Sequence, residues 1–266
     1  MSDTRYVFDN AHGQTRERFP ALSVLYDDET VRCLHAVGVA PGWQCLEVAA
    51  GGGSIARWLA AQVGAGGRVL ATDLDTRFLE SPADAALEVR RHDIARDPLP
   101  HAAFDLVHAR LILVHLPERE AALAKMVDAL KPGGWLVCEE FDSLSMPADP
   151  ALHPHECALK GQVATQRIMA SRGANTRYGR DLAARLRAHG LVDIRAQGRM
   201  AMWQGGSAGA RLFRANFEQL REELLRLGLI TEAELDDDLA RLDDPRSLFP
   251  SPVMWTVCGR TPDGPQ

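Results

Sequence analysis

Several things are scarce or missing in this chain of 266 residues, and each absence narrows its class. The five cysteines, Cys33, Cys45, Cys138, Cys157 and Cys258, form no CxxC pair. Cys45 and Cys138 fall in apolar runs, where a free cysteine behaves as a small apolar residue. That usage fits a reducing compartment, so a cytoplasmic location is expected. Lysine is confined to Lys125, Lys131 and Lys160, and the formal charge is −6. Such a balance speaks against a broad phosphate-binding surface, and no nucleic-acid partner is expected. No apolar run approaches the length of a membrane span, which excludes a membrane-embedded helix. Met1 to Asn10 carries charges and no apolar core, so no signal peptide is expected. Internal repeats and low-complexity segments are also lacking. What remains is an ordinary globular composition, 46% hydrophobic and 25% charged, long enough for one large α/β domain and a cap.

The most informative stretch is Cys45-Leu46-Glu47-Val48-Ala49-Ala50-Gly51-Gly52-Gly53-Ser54-Ile55-Ala56. A short apolar run ends at an acidic residue, passes a loop of small residues and opens into a helix. Ile55, Trp58, Leu59 and Val63 recur at helical spacing. A strand feeding a helix through glycines brings backbone N–H groups and the positive helix end against a ligand. A second run, Arg68 to Thr72, ends at Asp73, at the distance where a nucleotide-binding βαβ unit carries the acid that holds two ribose hydroxyls. Further strands are read at Leu87–His92, ending at Asp93-Ile94; at Phe104–His108, leading into Ala109-Arg110; and at Trp135–Cys138, followed by Glu139-Glu140-Phe141-Asp142. Polar groups thus recur at successive carboxyl ends of strands, where open α/β sheets bind ligands.

In their order and spacing, the Glu47–Gly53 loop, Asp73, Asp93-Ile94 and Leu130-Lys131-Pro132-Gly133-Gly134 resemble the motifs of class I S-adenosylmethionine-dependent methyltransferases. The resemblance is to the small-molecule branch with ubiquinone/menaquinone-type and natural-product enzymes, and it covers about residues 40 to 142. One departure is visible: the first loop glycine of the family is Ala49 here. The resemblance implies a doubly wound, mostly parallel, seven-stranded α/β sheet of Rossmann-like form with helical caps. It implies S-adenosylmethionine as cofactor, held by Glu47, Ala49, Gly51, Gly53, Ser54, Asp73, Leu74, Asp93, Ile94, Ala109 and Arg110. In that set Asp73 would bind the ribose, Asp93 and the Ile94 N–H the adenine, and the Ala109-Arg110 backbone would pass the methionine portion. The reaction implied is in-line methyl transfer to a small, partly apolar metabolite, a small-molecule acceptor of secondary-metabolite type. The Asp/Asn-Pro-Pro-aromatic motif of nucleic-acid amino methyltransferases is replaced by His108-Ala109-Arg110-Leu111.

His115, in Leu113-Val114-His115-Leu116-Pro117, is the candidate general base, since histidine exchanges a proton near neutral pH. The alternative is a histidine that packs or contacts the cofactor. Glu139, Glu140 and Asp142 are further candidates at the strand end bordering the acceptor. His153-Pro154-His155-Glu156 has metal-ligand residue types but reads as a solvated helix entry, and no metal is expected. Met200, Met202, Trp203, Phe213 and Phe217 fit an acceptor pocket or a strand face on the core equally well. Two competing readings stay open: a cofactor-binding protein of this fold that does not methylate, and an NAD(P)-dependent dehydrogenase. The latter is disfavoured because the loop lacks the final glycine of G-x-G-x-x-G. Organisation is expected as a helical cap over residues 1–40, a cofactor-binding core over 41–142, a helical insertion over 143–190 and C-terminal strands and helices over 191–266. In the core, Pro117 should open a helix whose buried stripe runs to Leu130. The oligomeric state is not written in the chain, and a homodimer stays open.

Overall fold

The computed structural model describes residues 15–79, 86–143 and 159–264, with side chains from Arg18 onward. His153, His155 and Glu156 lie outside these residues. The chain opens with α1 (Thr15–Val37) and then enters β1 (Gln44–Val48), α2 (Ser54–Val63), β2 (Arg68–Asp73) and β3 (Leu87–Arg91). β4 (Phe104–Arg110), α3 (Arg119–Asp128) and β5 (Leu130–Asp142) complete the parallel half. After α4 (Lys160–Ser171) and α5 (Leu182–Ala188) come β6 (Val192–Arg199), β7 (Met202–Gln204), α6 (Ala208–Arg226), α7 (Glu232–Asp243), β8 (Leu248–Pro250) and β9 (Val253–Arg260).

Seven strands form one sheet in the order β3-β2-β1-β4-β5-β9-β6. β1 to β5 pair in parallel, and β9 enters antiparallel between β5 and β6. Central strands are buried on both faces, as their continuous apolar runs require. Leu34, Ile55, Leu59, Val69 and Leu106 pack one face, under α1 and α2. Leu46, Val107, Leu123, Met126 and Leu136 pack the other, under α3 and α5. A third cluster, with Trp203, Phe213, Phe217, Leu235 and Phe249, makes a cap from α4, α6, α7 and the β7–β8 ribbon.

Helix α7 starts as its sequence dictates. Thr231 accepts from the Glu234 N–H while the Glu234 carboxylate accepts from the Thr231 N–H, a reciprocal cap. The helix after β4 differs from expectation at both ends: Glu118 is its N-cap, Arg119 its first residue and Asp128 its last. Leu130 pairs with Phe104 as the first residue of β5, because an apolar residue gains more from a place in the buried sheet than from a final helical turn. Val24, which shares the apolar spacing of α1, is 73% exposed, whereas Leu34 is fully buried.

Candidate active site

Strand order reverses between β1 and β4, both neighbours at the centre of the sheet. Loops diverge at such a switch point, leaving a crevice beyond the carboxyl ends of the strands. A cavity of about 890 Å³ occupies this crevice, lined by the β1–α2 loop, the ends of β2, β3 and β4, and the cap helices. That volume lies near the top of the range of roughly 300–1,000 Å³ for small-molecule sites.

The Gly-rich loop is shaped by left-handed backbone at Ala49 (φ 55), Gly51 (φ 54) and Gly53 (φ 73). A Cβ on Gly51 would sit 2.9 Å from Phe19 Cε1, so α1 closes over the loop. Asp73, at the end of β2, is 8% exposed and locks the loop in turn. The Gly51 N–H donates to its Oδ2 at 2.9 Å and the Asp75 N–H to its Oδ1 at 3.0 Å. Burial outweighs these bonds and pushes the Asp73 carboxyl above its ordinary value. Asp93, at the end of β3, accepts from the Ala95 N–H at 2.9 Å. Lys125 holds the segment that follows by donating to the carbonyls of Ile94, Ala95 and Asp97, at 3.0, 3.1 and 2.9 Å.

Nine of the residues singled out for the cofactor line this cavity: Glu47, Ala49, Gly51, Ser54, Asp73, Leu74, Asp93, Ile94 and Arg110. Gly53 and Ala109 are not among the lining residues. Gly53 faces away from the cavity interior, where a Cβ would meet Leu79 Cδ2 at 2.8 Å and Arg57 at 2.9 Å; its glycine is required by a positive φ and by packing. Ala109 is fully buried in the sheet, paired with Val48 and Cys138.

Beneath the loop lies a buried ionic relay that sequence reasoning did not find. His108 Nδ1 is 2.6 Å from Glu47 Oε2, and its Nε2 is 3.3 Å from Glu139 Oε2. Thr30 of α1 donates to Glu139, as does Thr256 of β9 at 2.7 Å. Arg110 reaches back to α1, donating to Thr30 Oγ1 at 3.0 Å and to Asp27 at 2.9 Å. Burial alone would discharge His108, but the two flanking carboxylates push it up to about 9, so the ring is a cation held between two anions. The signal in the sequence was polar residues at aligned positions of adjacent strands; their partnership needed the register.

His115 lines the cavity, partly buried, and Nδ1 is shut off from solvent. Burial, aided by the Arg18 charge, pushes it down to about 3. The ring is therefore neutral at physiological pH and a weak base. The candidate acids fall within the last residues of β5, not after it, and face elsewhere. Glu139 belongs to the relay, and Glu140 accepts the N–H groups of Ile112, Leu113 and Val114 at 3.0, 2.6 and 3.2 Å. Asp142 pairs with Arg180 at 2.5 Å. Of the apolar candidates, Trp203 and Phe213 line the cavity. Phe217 is core, while Met200 and Met202 are 55% and 52% exposed on the outside of the cap. No cluster of metal-ligating side chains occurs among the described residues.

A family described as a methyltransferase domain matches residues 46–138, from β1 to the middle of β5. The ubiquinone/menaquinone biosynthesis C-methyltransferase UbiE of Laribacter hongkongensis is 31% identical over 160 residues, covering 53% of this chain and 66% of that protein. Its counterpart in Cupriavidus taiwanensis is 35% identical over 120 residues, covering 43% and 49%. The chain thus spans between about half and two thirds of these relatives, 49% to 66% of their length. Among solved structures, phosphoethanolamine N-methyltransferase 2 of Haemonchus contortus, in complex with phosphomonomethylethanolamine and S-adenosylhomocysteine, superposes with a TM-score of 0.63 at 14% identity, covering 99% of this chain and 61% of that one. The YcgJ protein of Bacillus subtilis gives 0.59 at 12% identity, covering 90% and 100%. These likenesses are of fold. The matched domain and the curated relatives make residues 46–138 similar to a methyltransferase domain, and the solved structures share its fold.

Proposed function

We propose that this chain transfers a methyl group from S-adenosylmethionine to a small, partly apolar metabolite. The observation that carries the reading is Asp73, whose carboxylate is anchored by the Gly51 and Asp75 N–H groups at the cavity wall. Each anchored oxygen keeps a lone pair for a ribose hydroxyl. Asp93 and the backbone at Ile94 suit the donor and acceptor edge of an adenine. Arg18 brings a guanidinium to the same cavity, suited to an amino-acid carboxylate, while Arg110 is already paired with Asp27. Bound S-adenosylmethionine supplies a methyl on a positively charged sulfur, already activated for displacement.

The chain's own residues then act by placement. The left-handed loop lets the backbone approach closely, α1 and the cap shut out water, and the relay holds Glu47 and Arg110 in fixed positions. Orienting two reactants in this way contributes roughly 7–11 kcal/mol to a displacement. His115 serves this scheme as a neutral wall and hydrogen-bonding group, because a ring pushed down to about 3 does not draw a proton from the acceptor near pH 7. The division into an N-terminal helix, a core, and cap segments after β5 is part of the same reading. So is a cytoplasmic location, which the buried free thiols of Cys45, Cys138 and Cys258 favour. No helix among the described residues is long and apolar enough to cross a membrane.

Calorimetry with S-adenosylhomocysteine tests the proposal. Binding is expected in the wild type, with little or none for NADH, and Asp73→Ala should weaken it by about 1.5–3 kcal/mol, the range for hydrogen bonds to a charged group. Preference for NADH would overturn the reading.

A further inference from the structure

The cap wall of the cavity carries polar groups that the fold does not use. Gln162 and Thr165 lie three residues apart on one face of α4, and Asn216 lies on α6; all three line the cavity. Gln162 Oε1, Thr165 Oγ1 and Asn216 Oδ1 are buried and have no hydrogen-bond partner among the described residues. Gln162 is 9% exposed and Thr165 1%. A buried polar atom without a partner destabilises a fold, and such atoms call for a reason.

Holding the cap together is not that reason, because other residues do so. Asp238 of α7 accepts the Gly161 N–H at 2.6 Å, at the start of α4. Arg172 grips Glu223 of α6 through bonds of 2.7 and 2.6 Å, and Lys160 meets Glu234 at 2.7 Å. Around the three unpartnered groups the wall is apolar and aromatic, with Phe213, Leu220 and Trp203, whose ring meets Phe213 edge-on at 5.1 Å.

We propose that Gln162, Thr165 and Asn216 form the face that recognises the methyl acceptor. The acceptor is a neutral molecule with an apolar body and two or more hydroxyl groups. This rests on the reading of the cavity as a methyl-transfer site. Two of the unpartnered atoms are carbonyl oxygens and the third is a hydroxyl, so the ligand must bring donors. Ammonium donors are disfavoured, because Glu223, the α6 carboxylate in the lining, is already neutralised by Arg172. Terminal carboxamide torsions are broad, so small rotations of Gln162 and Asn216 bring their oxygens to a ligand that fills the cavity.

The test uses the full chain saturated with S-adenosylhomocysteine, with 4-hexylresorcinol and its dimethyl ether as probes that share the hexylarene body, with and without donors. The diol should bind at least about tenfold more tightly than the ether. Gln162→Leu and Thr165→Val should each erase much of that preference, leave S-adenosylhomocysteine affinity unchanged and raise the melting temperature of the unliganded protein, since each removes an unsatisfied group. Equal binding of the two probes, no diol binding, or variants that keep the preference would each overturn the proposal. A fall in melting temperature would also do so, by showing a structural role. Failure of the wild type to bind S-adenosylhomocysteine would instead overturn the reading of the site.

Discussion

Ala49 sits in the left-handed region, φ 55, at the first turn of the β1–α2 loop. A Cβ there costs roughly 1–2 kcal/mol, and the neighbouring loop residues hold it because Ala50 donates to the Thr72 carbonyl at 2.9 Å and Gly53 to the Ala50 carbonyl at 2.8 Å. Ala49→Gly should relieve that strain, offset by about 0.4–1 kcal/mol for the freer unfolded chain. The expected outcome is a net gain of about 0.5–1 kcal/mol in urea unfolding; a loss would show that the methyl makes packing contacts worth more than the strain. Gly51 and Gly53 share the conformation for different reasons. The first is pressed by Phe19 and faces the cavity, the second is pressed by Leu79 and Arg57. The sequence displays three consecutive glycines and gives no means of telling these environments apart.

Among the elements, α1 has the widest reach. Its later residues, Val31, Leu34 and Val37, pack on the sheet, while Ala21, Leu22, Leu25 and Tyr26 pack on the cap. Phe19 and Arg18 line the cavity between. One helix therefore ties two apolar clusters together and closes the site, so its mixed periodicity is the trace of two partners. The turn before α5 makes a comparably tight contact with β5. A Cβ on Gly179 would lie 3.0 Å from the Phe141 carbonyl carbon and closer still to the Glu140 carbonyl oxygen. Neither partner is a flexible side chain, so Gly179→Ala should cost about 1–3 kcal/mol, read as a lower urea midpoint. An unchanged midpoint would mean that the turn can lift off the strand.

At the scale of the whole molecule, the site is a cavity between the sheet and a cap that shares its helices with a separate apolar cluster. This enclosure links stability to pH through His115. Its folded value is depressed below the ordinary 6.5, so the unfolded chain binds the extra proton. The neutral ring is therefore accommodated at no cost above pH 6.5, and the fold is penalised as pH falls from 6.5 towards about 3, by up to about 1.4 kcal/mol per pH unit. His115→Gln lacks that proton, so the variant should lose less stability than the wild type between pH 6.5 and 4. Parallel urea midpoints for the two proteins over this window would refute the placement of a neutral ring at the cavity wall. Methyl transfer in the wild type should likewise show no fall attributable to this histidine between pH 8 and 6.

Local chemistry alone determined a good deal of this protein. The strand–glycine–helix passage at Cys45–Ala56, the acids at the ends of β2 and β3 and the Thr231 cap were legible because each depends on neighbours within a few residues or on one repeated βα unit. The seven-stranded sheet, by contrast, was implied by the family resemblance. Only the tertiary structure decided which groups meet. The register of β1, β4 and β5 brings Glu47, His108 and Glu139 into one buried relay, and no spacing along the chain reports that alignment. Burial, not residue type, turned His108 into a cation and His115 into a neutral ring. The cap packing likewise carried Met200 and Met202 outward and turned Gln162 and Thr165 inward. A side chain's charge and its partners are set by the dielectric and the donors around it, and those come from segments far apart in sequence.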